Sequence, residues 1–203
     1  MKNKAYQLLN VFEPSEIKLL SDILHKLKDS ELDPAKERNY TNGFKQGDLI
    51  YPFIKKQVLD RIEILIGRKI NLLHGMLLKE KSPWYIHTDY VKGDENPDIA
   101  ILIPLNAEII NTSTVVFNEE CTDKFSTYKL NNKKLENNAA SLCDNLMSHE
   151  TIENLEYVSL QGSYKWIPGS VICWDRKLLH SSDNFLKNGL MEKTGLVLFT
   201  TNT

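Results

Sequence analysis

Apolar residues in the first third of the chain recur at helical spacing. In EPSEIKLLSDILHKLKD (13–29), Ile17, Leu20, Ile23, Leu24 and Leu27 share one face behind a proline-serine start, which predicts an amphipathic helix. PFIKKQVLDRIEILIGR (52–68) predicts a second helix, opened by proline and with Gly67 near its end. Residues 30–50 are polar and carry Pro34, Gly43 and Gly47, so they read as loop with room for a short strand. The two helices are placed to flank a sheet.

After residue 69 the pattern changes. INLLHGMLLKE, DIAILIPLN, STVVFN, LEYVSL, YKWIPG, GSVICWD and TGLVLFTT are short apolar or β-branched runs punctuated by Gly, Pro and Asn. Many short strands of this kind predict a sandwich or jelly roll. Residues 119–154 interrupt them with Asn, Lys and Glu, and AASLCDNLMSHE within that stretch reads as helix. So long an excursion is expected to be an insertion, either a lid over a site or a cover for a sheet edge. The fold class expected is α+β, a jelly-roll core with N-terminal flanking helices and a partly helical insertion. The 203 residues suit a single domain, 1–203.

Composition narrows the class. A hydrophobic fraction of 41% with 26% charged residues is that of a soluble globular chain. Net charge is -2 and no basic block stands out, which argues against nucleic acid as the main partner. The three cysteines, Cys121, Cys143 and Cys173, are odd in number and form no CxxC, so a reducing, cytoplasmic setting is expected. The N-terminal stretch does not read as a signal peptide, and no apolar run approaches the ~18 residues of a membrane helix.

The chemistry is carried by histidines. His25 and His149 are expected on exposed helical positions, and His74 in a strand with a structural hydrogen bond. His87 and Asp89 stand two apart in WYIHTDY, a spacing that projects both to one side of an extended segment. His180, after the turn WIPGS and the strand GSVICWD, supplies a third ligand. Two imidazoles and a carboxylate leave half an octahedron open. That suits non-haem Fe(II), with zinc as the rival metal.

The order HxD, IAILIPLN, STVVFN, WIPGSVICWDRKLLHSS, KTGLVLFTT resembles the Fe(II)/2-oxoglutarate-dependent dioxygenases, over roughly residues 70–203. The resemblance implies a double-stranded β-helix with His87, Asp89 and His180 as iron ligands. It implies a basic residue on the last strand that pairs with the distal carboxylate of 2-oxoglutarate; Lys193 fits that place and Lys187 competes with it. Gly195 stands where the family often has Ser or Thr. Tyr85 is a candidate for a cosubstrate contact, and Trp84, Tyr90, Trp174 and Arg176 flank the triad as candidate substrate-pocket residues.

The activity so implied is hydroxylation of a small molecule or of an amino-acid or protein side chain, using Fe(II), 2-oxoglutarate and O2, with ascorbate in support. Asp89 argues against halogenation, because related halogenases lack that carboxylate. The alternatives are a cupin-type metal-binding jelly roll with other chemistry and a non-enzymatic binding jelly roll.

Overall fold

A computed structural model of the protein describes residues 4–24, 26, 38–40, 43–90, 94–106, 111–122, 134–135 and 138–202. Two antiparallel sheets face each other. The larger has the order β1-β7-β4-β9-β3-β2 and the smaller β6-β5-β8. The strands of the larger sheet are β1 (Tyr6–Leu8), β2 (Arg38–Tyr40), β3 (Asn71–Glu80), β4 (Pro97–Pro104), β7 (Val171–Asp175) and β9 (Lys193–Thr201). Those of the smaller are β5 (Ser113–Glu120), β6 (Leu160–Lys165) and β8 (Leu178–Ser182). His87 adds to the free side of β8 through a single antiparallel bridge to His180. From β3 onward the chain therefore passes between the sheets: large, small at His87, large, small for β5 and β6, large, small, large.

The apolar runs follow from burial on both faces of the large sheet. Ile99, Ile101 and Ile103 of β4 join Val171, Cys173, Leu196 and Leu198 in one core. The intervening Ala100 and Leu102 join Ile172, Trp174 and Val197 in another, between the sheets. Helices cover the first core. Helix α1 (Pro14–Leu24) contributes Ile17 and Leu20. The second helix comprises α2 (Tyr51–Ile54), a π-helical stretch Lys55–Leu59 and α3 (Asp60–Ile66), and turns Ile54, Val58, Leu59 and Ile62 inward. Gly67 ends it at φ 70, a left-handed cap that a side chain would disfavour. No helix among the described residues is long and apolar enough to cross a membrane.

Three expectations change. LEYVSL is not a strand: its first residue ends α5 (Ile152–Leu155), whose N-terminal Thr151 side chain accepts from the Asn154 N–H. The burial of Leu155 and Val158, three apart, is a helical-turn pattern and not an alternating one. The strand follows it, as β6. β8 was hidden because only two of its five residues are aliphatic, and it forms because β5 offers a ladder partner.

Finally, the described part of the insertion is no lid. Helix α4 (Ala139–Asn145) and α5 lie on the outer face of the small sheet, where Ala139, Met147 and Leu155 pack with Ile86, Val115, Phe117 and Leu179. His25 and the last turn expected of the first helix lie outside the described residues.

Candidate metal centre

Between the inner faces lies a cavity of about 370 Å³. Its long wall is the β3–β9 ladder. His74, Met76, Leu78 and Glu80 line it at alternate positions, opposite Phe199, Val197, Gly195 and Lys193 in register. One end is open, with His74, Met76 and Phe199 partly exposed; the other is closed, with Glu80, Trp166 and Ser182 buried.

His87, Asp89 and His180 meet on the opposite wall. Their ligand atoms lie within 4.8 Å of one another. The backbone is the cause: His87 N–H donates to His180 O at 2.9 Å and His180 N–H to His87 O at 2.8 Å, which brings the ring centroids to 4.2 Å. Each ring is oriented by a local carbonyl. Nδ1 of His87 lies 2.8 Å from Tyr85 O, and Nδ1 of His180 lies 3.1 Å from Leu178 O. A carbonyl only accepts, so both Nδ1 atoms carry a proton, and Nε2 is the nitrogen of each ring left to face a metal. Burial pushes His180 down to about 4, so its 3.4 Å approach to Asp89 is a contact of a neutral imidazole and not an ion pair at neutral pH.

Asp89 supplies the carboxylate of the three. Burial raises its pKa, against His87, the Trp174 hydrogen bond and Arg176, which lower it. Two flanking residues hold it. Trp174 Nε1 donates to its Oδ2 at 3.0 Å, and Arg176 Nη2 donates to its backbone O at 2.9 Å. Arg176 is fully buried, pairs with Asp94 at 2.5 Å and donates to Thr200 O at 3.2 Å. Both residues line the cavity; Trp174 also orients the carboxylate, and Arg176 holds the backbone that carries it.

At the closed end, Lys193 lies behind the wall. Its ammonium donates to Ser113 O at 2.7 Å and to Asp183 Oδ1 at 3.0 Å, and it lies 4.8 Å from the Trp166 ring centre. Burial lowers its pKa, and Asp183 and Glu80 oppose that. Asp183 also accepts from Thr112 Oγ1 and Ser113 N–H, both at 2.7 Å. Gly195 has a packing reason: a Cβ there would stand 2.9 Å from Leu102 Cδ1 and 3.1 Å from the Trp166 ring. The space that a Ser or Thr would fill is taken by that indole.

Other candidates fall elsewhere. Tyr85 is 53% exposed, with its ring 5.9 Å from that of His149, and is not on the cavity wall. The i, i+2 rule held for Asp89 but not for Tyr85, because residues 81–90 form no continuous strand. Tyr90 is half-buried beside Thr88 and also lies off the wall, whereas Trp84 lines it. Lys187 donates to Asp144 O at the surface.

His149 is not solvent-facing. It is half-buried, with Nε2 2.9 Å from Trp84 O, and burial lowers its pKa. Sequence reasoning missed Asp183, Trp166, Glu80 and the cavity role of His74, none of which carries a local signal in the sequence.

No protein-family model matches the chain, and no curated protein matches it. Solved structures do. The non-haem α-ketoglutarate-dependent carbocyclase SnoK of nogalamycin biosynthesis superposes with a TM-score of 0.61 at 10% identity, covering 99% of this chain and 80% of its own. The chain has the fold of the Fe(II)/2-oxoglutarate oxygenases. HygX from Streptomyces hygroscopicus, solved with nickel and 2-oxoglutarate, shares this oxygenase fold at TM-score 0.59, 14% identity and coverage of 98% and 83%. A Pseudomonas putida prolyl-4-hydroxylase shares it at TM-score 0.54, 11% identity and coverage of 100% and 94%.

Proposed function

We propose that the protein is an Fe(II)- and 2-oxoglutarate-dependent oxygenase built on a double-stranded β-helix, and that it hydroxylates a small molecule or an amino-acid or protein side chain. One observation carries the reading: two imidazoles, each with Nδ1 held by a backbone carbonyl, and one carboxylate converge at the wall of a cavity. This donor set fits a divalent iron with open positions. An iron held there with bound 2-oxoglutarate supplies the oxidising power, with decarboxylation to succinate.

The chain's own residues bind, orient and exclude water. His87, Asp89 and His180 would hold the metal, while Trp174 orients the carboxylate and Arg176 holds the backbone that carries it. The buried apolar wall of Leu102, Val197 and Trp166 keeps water from the closed end. Lys193 would meet the distal carboxylate of the cosubstrate, with the Ser182 and Thr114 side chains that line that end. HygX, at 14% identity, has been solved with hygromycin B bound, and the prolyl-4-hydroxylase is named for proline; both substrate sizes are compatible with a cavity open at one end. The free thiols of Cys121, Cys143 and Cys173 support a cytoplasmic setting.

The decisive experiment measures succinate release from 2-oxoglutarate with Fe(II), O2 and ascorbate. Succinate release is expected from the wild type and not from H180A. Metal binding without succinate would favour a metal-binding jelly roll of other chemistry, and no metal binding a non-enzymatic one. K193M should raise the KM for 2-oxoglutarate about tenfold to a hundredfold, the worth of a charge-assisted bond of ~1.5–3 kcal/mol, and K187M should leave it unchanged.

A further inference from the structure

The segment that carries His87 adds to the free side of β8 through a single bridge, and the backbone groups beside such a bridge have no ladder partner there. His87 N–H and C=O both bond β8. The N–H of Ile86 therefore points away from β8, off the free edge. Ile86 is buried, so water does not reach this group, and a buried unpaired N–H is costly. Its partner comes from the insertion: Glu150 Oε1 accepts it at 2.7 Å.

Glu150 is itself buried, and its second oxygen accepts from Asn154 Nδ2 at 2.7 Å, which fixes the carboxylate. The neighbouring His149 reaches Trp84 O, a carbonyl that also accepts from Ser181 Oγ at 2.5 Å. Beyond β8 the same insertion holds the chain that leaves His180: Asn184 N–H donates to Leu146 O at 2.9 Å and Asn184 Nδ2 to Ser148 Oγ at 2.9 Å. Both ligand-bearing segments are thus tied from behind by residues 146–150.

We infer that Glu150 is a positioning residue for the metal centre: by capping the Ile86 N–H on the open edge, it sets the position of the His87 imidazole one residue later, and the insertion acts as a brace. The inference rests on the reading of His87, Asp89 and His180 as metal ligands. None of the insertion's described residues lines the cavity. The brace acts through the backbone of residues 84–87.

The test compares three variants of the full chain. Co(II) affinity is measured well below each melting temperature, and the indole N–H resonance of Trp84 is followed in the metal-free protein. E150A should weaken Co(II) binding about tenfold to a hundredfold, the usual effect of losing a group that orients a ligand, and should shift the Trp84 resonance. E150Q keeps an oxygen acceptor for Ile86, since Asn154 can turn its own carbonyl toward the new amide, and should retain most of the affinity.

L155A removes a fully buried side chain from the same packed face and should lower the melting temperature while Co(II) affinity holds. Wild-type affinity in E150A, or an equal loss in L155A, overturns the inference. A wild-type protein that binds Co(II) yet releases no succinate overturns the oxygenase reading alone. One that binds no Co(II) overturns both.

Discussion

The two ends of the cavity treat charge in opposite ways. At the metal end, burial keeps His180 neutral, and the Asp89 carboxylate has imidazoles and an indole N–H about it; the guanidinium of Arg176 grips its backbone and is matched to Asp94. At the closed end, Lys193 and Asp183 neutralise each other inside a network with Thr112 and Ser113. Three candidate ligands converge at one end, and at the other the buried charges are matched to each other. A buried carboxylate beside neutral donors is stabilised by a metal, while a buried ion pair is stabilised by its own geometry. Removing a group should therefore cost function at the first end and folding at the second.

The sharpest break in this comparison is H180A, which should abolish metal binding while leaving the metal-free fold cooperative; calorimetric titration with Mn(II) and a thermal melt check both halves. At the other end D183A strands a buried ammonium. It should cost about 3–5 kcal/mol of stability, read from urea unfolding, because a charge left without its partner keeps its desolvation cost. Equal instability in H180A would erase the distinction.

W174F removes the N–H that reaches Asp89 Oδ2 together with part of a buried ring. Metal affinity should fall about tenfold to a hundredfold, and the melting temperature should drop because of the space left in the core.

The last effect is in pH. His180 titrates at about 4 in the folded protein, below its ordinary value of 6.5. Between those values the unfolded chain binds the proton and the folded one does not. The stability from keeping this imidazole neutral is thus full above 6.5 and declines as pH falls toward 4. Unfolding of metal-free protein should show that decline, and H180Q should flatten it.

The core of the centre was legible because its signal is local. HxD puts two ligands on one side of an extended stretch whatever surrounds it, and His180 follows a strand–turn pattern that needs no partner to be seen. The helices at 13–24 and 52–66 were legible for the same reason, through their apolar period.

Asp183 was not legible. Nothing about an acid in HSSDNF says that it will meet a lysine ten residues later and Thr112 seventy-one residues earlier. Trp174 and Arg176 were placed as pocket residues, and the sequence held no sign that they would also hold Asp89. The outer-face packing of residues 139–155 depended on Ile86, Phe117 and Leu179 presenting a bare sheet face to them.

From the sequence alone come the ligand types, the strand-rich class, the flanking helices and the candidate cation on the last strand, because periodicity and short spacing express backbone geometry directly. Tertiary structure decided which nitrogen of each imidazole meets a backbone carbonyl, which charges are matched and which side of the small sheet residues 139–155 cover. Those outcomes depend on burial and on partners far away along the chain, and both exist only once the sheets have closed on each other.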